Sequence, residues 1–276
     1  MNIKIKGILS LAVLSGLLLA SCDKEPYKVI EDQPADNDAF VRIVHAAPSF
    51  RAIFNNRDSF NVYTSVNKLT SPFLTYGSVF PGATTNNYVN VPATSGTNPL
   101  NTGTSFRFSV QGTNQADSVN LYTFYKNLIP GRRYSLIITD SILNANETKQ
   151  MLIPDDYVQP TPGLFGIRFV HAVANDTAGR TVDVFSAKAK ANIFTNVPIL
   201  SATGFAYLPT NLTTDTLIIR RAGVTNWELA RFPPLGQPAI TPIVYLNQRV
   251  YTFIYRGDTK LTSGTKARGL MSYVNL

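Results

Sequence analysis

Two histidines are the only imidazoles in the 276-residue chain, and both stand in the same local setting. His45 follows Val41-Arg42-Ile43-Val44 and precedes Ala46, while His171 follows Ile167-Arg168-Phe169-Val170 and precedes Ala172. An imidazole can ligate a metal or move a proton near neutral pH. Each run alternates as a strand does, which puts Val41, Ile43 and His45 on one face and Arg42 on the other. The same holds for Ile167, Phe169, His171 and Arg168. Each histidine therefore ends an apolar, inward face, where a ring N–H is expected to bond a loop carbonyl. Two histidines exclude a three-histidine metal site from one chain. Their duplication argues for structure, since tandem catalytic sites are uncommon. Arg42 and Arg168 are expected to pin their strands to an acidic neighbour or a carbonyl.

Carboxylates are scarce after residue 38, with 11 acidic residues against 21 basic ones. Asp155 and Asp156 are adjacent in a proline-rich connector, so they do not converge as an acid–base pair. Asp183 lies in a strand-like run whose counterpart carries Asn61, a freedom that a catalytic carboxylate would not tolerate. No nucleophile elbow, zinc-protease helix, phosphate loop or EF-hand run is present. The chain reads as a non-enzyme with no catalytic residues, no metal site and no cofactor.

The lone cysteine carries the strongest local signal. Lys4 and Lys6 precede an uncharged stretch from Gly7 to Ala20, too short to span a bilayer of ~30 Å hydrocarbon as a helix. It suits the apolar core of a signal peptide. The stretch ends in Leu19-Ala20-Ser21-Cys22, which resembles a bacterial lipobox. That resemblance implies cleavage before Cys22 and lipid on its sulfur, so the partner is a membrane that the chain is anchored to and does not span. Residues 22–38 hold six acidic and two basic residues with two prolines, a disordered tether. Its acidic start is similar to the export tags of surface lipoproteins in Bacteroidetes-type bacteria. An outer-membrane lipoprotein at the cell surface is the expected location, with a periplasm-facing one left open.

The elements that position these residues repeat. Phe60-Asn61-Val62-Tyr63 matches Val182-Asp183-Val184-Phe185, and Leu128–Ile137 matches Leu246–Ile254 with Tyr134 on Tyr251. The chain divides into a signal peptide (1–21), the tether (22–38), one repeat (39–153), a stiff proline-rich linker (154–163) and a second repeat (164–276). Short runs rich in Val, Ile, Tyr, Phe and Thr, separated by Pro-Gly and Ser-Gly turns, predict strands. The expected fold is all-β: two tandem immunoglobulin-like β-sandwiches, with a small barrel as the alternative. A single cysteine and a single tryptophan exclude the antibody type.

The opening Val/Ile-Arg-Ile/Phe-Val-His-Ala of each repeat, the strand Val182-Asp183-Val184-Phe185, Asn196-Val197-Pro198 and Leu208-Pro209 resemble domain-of-unknown-function family 4397. The resemblance is clearer in the second repeat, since the first has an insertion around residues 50–59 and lacks the Asn-Val-Pro step. It implies a tandem, surface-exposed bacterial protein and brings no catalytic residues.

Further expectations concern the surface. Asp117-Ser118-Val119, Asp140-Ser141-Ile142, Asp176-Thr177-Ala178 and Asp215-Thr216-Leu217 resemble O-glycosylation triplets, which would place sugar on Ser118, Ser141, Thr177 and Thr216. Trp227 lies shortly after Gly223 and marks a hairpin, packing in the core or at an edge, or touching a ligand. The basic balance, with pI ≈ 9.5, comes without a nucleic-acid motif and in an exported chain. Nucleic acid is therefore not an expected partner; glycans or envelope proteins are. The sequence thus describes a non-enzymatic surface lipoprotein that serves binding, adhesion or envelope structure. An accessory glycan-binding protein of polysaccharide uptake is the runner-up, and a surface hydrolase comes third.

Overall fold

The computed structural model describes residues 37–48, 50, 58–64, 67–70, 73–84, 86–93, 103–110, 119–141, 149–212, 214–233 and 243–276. Cys22, the signal peptide, the tether up to Asp36, and Ser118 lie outside them. All described residues belong to one compact unit, Asp36–Leu276.

The fold is all-β among the described residues, apart from one 3-10 turn at Thr210–Leu212. The first half contains β1 (Asp38–His45), β2 (Asn61–Tyr63), β3 (Val79–Phe80), β4 (Val89–Pro92), β5 (Thr104–Val110), β6 (Val119–Lys126), β7 (Arg133–Ile138) and β8 (Met151–Pro154). An inner sheet runs β3-β1-β7-β8, with β4 beside β3 on the same edge of β1, and an outer sheet runs β2-β5-β6.

The second half contains β9 (Leu164–His171), β10 (Thr181–Ser186), β11 (Ala191–Pro198), β12 (Ser201–Ala202), β13 (Ala206–Pro209), β14 (Thr214–Asp215), β15 (Leu217–Arg221), β16 (Glu228–Phe232), β17 (Ile243–Val244), β18 (Val250–Arg256) and β19 (Gly269–Val274). Its inner sheet runs β12-β9-β18-β19, with β13 also on β9, and its outer sheet runs β11-β10-β15-β16. A short β14–β17 pair stands apart.

Each half is a sandwich. In the first, Val41, Ile43 and Leu136 of the inner sheet pack on Val62, Phe106 and Phe108 of the outer one. In the second, Ile167, Phe169 and Phe253 pack on Val182, Val184 and Ile219. The order is not the A-B-E-D and C-F-G order of an immunoglobulin constant domain. Here the opening strand is interior, and it pairs in parallel with the penultimate one: β1 with β7, and β9 with β18.

The two inner sheets also use their other faces. Val44, Ala46, Ile137 and Met151 from the first half form one buried cluster with Val170, Ala172, Ile254, Met271 and Tyr273 from the second. β1 and β9 are therefore buried on both sides. Nearly unbroken apolar runs such as these suit that position better than alternating ones do. The joining segment is part of the packing rather than a free spacer: Pro154 ends β8, and Asp155 is buried.

Candidate functional site

The two histidines sit at matching strand ends and do matching things. His45 Nε2 lies 2.7 Å from the Asp58 carbonyl, and His171 Nε2 lies 2.6 Å from the Gly179 carbonyl. A carbonyl oxygen only accepts, so each Nε2 carries the proton and each Nδ1 is a bare lone pair. Both Nδ1 atoms are buried with no hydrogen-bond partner. Aromatic rings of Phe50, Phe60 and Tyr76 surround His45, and that of Tyr255 meets His171. Burial pushes the His45 imidazole down from 6.5 to about 4 and lowers His171 as well. Neither ring is placed to take a proton from a solvent-borne substrate. No group of three metal-ligating side chains occurs among the described residues.

The two arginines lie on the opposite faces of the same strands, at the junction of the halves. Arg168 is buried and donates Nη2 to Asp155 Oδ1 at 2.5 Å and Nη1 to the Pro154 carbonyl at 2.9 Å. Asp155 also accepts from Ser135 Oγ (3.0 and 2.8 Å) and Tyr88 Oη (3.0 Å). Tyr273 Oη donates to Ser135 Oγ at 2.6 Å, and Thr252 Oγ1 donates to Asn275 Oδ1 at 2.6 Å. Arg42 donates Nη1 to the Val274 carbonyl and Nη2 to the Asn87 carbonyl at 3.0 Å, between the rings of Tyr88 and Tyr273. Lys266 bridges the halves a second time through Asp58. Alternation alone placed the arginines opposite the histidines. That a second sheet covers them was not visible, so Asp155, Ser135, Tyr273, Thr252 and Asn275 went unrecognised as one network.

The remaining buried carboxylates serve their own loops. Asp176 accepts from Gly179 N–H (2.6 Å) and Tyr255 Oη (2.8 Å). Asp183 accepts from the N–H groups of Asn196 (2.8 Å) and Gly223 (3.1 Å). Asp215 accepts from Ser186 Oγ (2.5 Å) and the N–H groups of Lys188 (2.9 Å) and Thr216 (2.7 Å). The Asp-Ser/Thr triplets include such turns. Ser141 and Thr216 are half-buried, each donating its backbone N–H to the preceding aspartate at 2.7 Å, whereas Thr177 is exposed.

The outer surfaces carry arginines laid on aromatic rings. Arg107 lies 4.4 Å from the Tyr63 centroid, and Arg220 lies 3.7 Å from that of Phe185, the residue matching Tyr63. At the tip of the β15–β16 hairpin, Arg221 lies 5.0 Å from the ring of Trp227, which is 45% exposed. A ring with one free face and a cation beside it can stack on a sugar and hold an acidic substituent. Arg132 forms an exposed pair with Asp156 at 2.6 Å.

No known protein family's profile matches the chain, and no curated protein matches it. Among solved structures, one similar chain is described as "Alpha-glucan binding by a streptococcal virulence factor". It is 12% identical, covering 82% of this chain and 95% of that one at a TM-score of 0.21, a likeness that carries no argument about function.

Proposed function

We propose that this is a non-enzymatic, lipid-anchored protein of the bacterial outer membrane, held at the cell surface through Cys22, whose paired sandwiches bind or brace another envelope component. The supporting observation is how the buried carboxylates are spent. Asp155, Asp176, Asp183 and Asp215 each direct their oxygens at backbone N–H groups, hydroxyls or an arginine of their own frame. A carboxylate held this way maintains a loop and has no spare oxygen for substrate. The test is metabolic labelling with a fatty-acid analogue, together with protease shaving of whole cells. The wild type should label and be shaved, and Cys22→Ser should do neither. Persistent labelling of that variant would overturn the anchor, and resistance of the wild type to shaving would overturn surface display.

The second reading is an accessory glycan-binding protein, favoured by the exposed Trp227 with Arg221 against it. A flat response of residues 39–276 on an array that includes acidic glycans would reject it.

A further inference from the structure

Strand registers put the two halves in residue-by-residue correspondence. Tyr134 pairs with Pro154 as Tyr251 pairs with Val274, and Ile137 pairs with Met151 as Ile254 pairs with Met271. Arg42 lies opposite Ser135 as Arg168 lies opposite Thr252. The match continues past the strands. Asp155 N–H donates to the Arg133 carbonyl, and Asn275 N–H donates to that of Val250. Hence Arg42 corresponds to Arg168, Ser135 to Thr252, Pro154 to Val274, Ile153 to Tyr273 and Asp155 to Asn275.

Under this correspondence the contacts between the halves are reciprocal. Arg42 of the first half donates to the Val274 carbonyl of the second. Arg168 of the second half donates to the Pro154 carbonyl, the matching position at the end of the first. The apolar contact obeys the same rule: Val44, Ala46, Ile137 and Met151 meet Val170, Ala172, Ile254 and Met271, which are their own counterparts. When residue i meets j and j's twin meets i's twin, the interface is isologous, the kind that joins identical subunits across a two-fold axis.

We propose that the inner-sheet face of each repeat is a self-complementary docking surface whose partner is a second copy of the same domain. The chain is a homodimer made covalent, with its two outer sheets turned away from each other. Among the points where the symmetry is broken, one concerns a carboxylate. Asp155 faces Arg168, whereas the matching position holds Asn275, fully buried, whose Nδ2 makes no well-formed hydrogen bond. Asn275 Oδ1 accepts from Thr252 Oγ1 as Asp155 accepts from Ser135 Oγ. An amide thus stands in the second half where the first half has its carboxylate.

That asymmetry supplies the test. Asn275→Asp in the intact chain puts a carboxylate at the twin of Asp155, next in sequence to Val274, whose carbonyl Arg42 binds. A carboxylate newly buried without a counter-charge is strongly destabilising. Here the thermal midpoint at pH 7 is expected at or above that of the parent, falling when Arg42→Met is added. As a second measurement, a protease site placed after the exposed Val158 cuts the folded chain into its halves. Native mass spectrometry of the cut protein, after partial unfolding and refolding, should then show pairs of like halves beside the mixed pair. A lowered midpoint for Asn275→Asp, or halves found only singly or only as the mixed pair, overturns the proposal.

Discussion

Replacing Asp155 by Asn removes one charge and almost no volume from the junction of the halves. In the parent, the Asp155 and Arg168 side chains are 0% and 1% exposed and 2.5 Å apart. Solvent screening is therefore slight. Removing one member of a buried pair leaves the other uncompensated, at a cost of about 3–5 kcal/mol. Ser135 and Tyr88, which donate to the carboxylate, would then face an amide that accepts at one atom only. Against a typical stability of ~5–15 kcal/mol this is a large fraction. At roughly 2–4 °C per kcal/mol for a body of this size, the midpoint should fall on the order of 10 °C. Urea unfolding of Asp155→Asn, Arg168→Met and the double variant forms a cycle. The double variant should recover much of the loss, since no lone charge remains buried. A loss below about 1 kcal/mol for Asp155→Asn, or strict additivity in the cycle, would refute the claim that this ion pair locks the junction.

Three more outcomes follow from the geometry. Burial lowers His45 to about 4, so the unfolded chain takes up a proton first as pH falls through 6.5, and stability present above that value is lost towards 4. Between pH 7 and 5 the loss from His45 should be roughly 2 kcal/mol, with His171 adding in the same direction; a flat urea midpoint over that interval would count against it. Gly179→Ala puts a Cβ 2.4 Å from Asp176 Oδ2 and 2.8 Å from Leu229 Cδ1, displacing the carbonyl that holds His171. It should destabilise by about 1–3 kcal/mol in the same unfolding assay. Trp227→Ala should leave stability within about 0.5 kcal/mol, because the ring is on the surface. On the glycan-binding reading it should abolish retention on an acidic-glycan column, and unchanged retention would remove this hairpin from that reading.

The sandwich class was legible because β-branched and aromatic runs alternate between turn residues, and because both copies keep the same order. Equivalence was legible at Tyr134 and Tyr251, while the start of that matched run shifts by one residue, Ile129 rather than Leu128 being the counterpart of Leu246. Gly131 and Gln248 occupy the same turn with φ of +74° and +61°, and Ile129 and Leu246 donate their N–H groups to Tyr134 and Tyr251. The strand order was not legible, since a parallel pairing such as β1 with β7 depends on where a long crossover returns. The arginine network escaped for a related reason. Asp155 looked like a connector residue until the second half folded over it, and neither Tyr273 nor Asn275 carries any local mark of its partner. The aspartates of the Asp-Ser/Thr triplets look alike in sequence, yet Asp176 and Asp215 are buried loop ties while Asp140 pairs with Lys149 at 2.5 Å.

The repeated run Val/Ile-Arg-Ile/Phe-Val-His-Ala is covered on both sides. In a sandwich exposed on its outside, the residues between the core positions would be polar. Here Val44 and Ala46, and their twins Val170 and Ala172, are as buried as Val41 and Ile167. One sandwich covers one face of β1, and the second sandwich must cover the other. Val44→Asp tests this without touching the core of either half, because Val44 contacts the shared cluster rather than the first sandwich's interior. An unpaired carboxylate there should cost several kcal/mol, on the order of the buried-charge penalty. The penalty falls on the junction, so the variant should show two calorimetric transitions, one for each sandwich, where one is expected for the parent. If both halves instead lose their near-UV signal together at a lower temperature, the sandwiches are not separate folding units and the shared cluster is simply their common core.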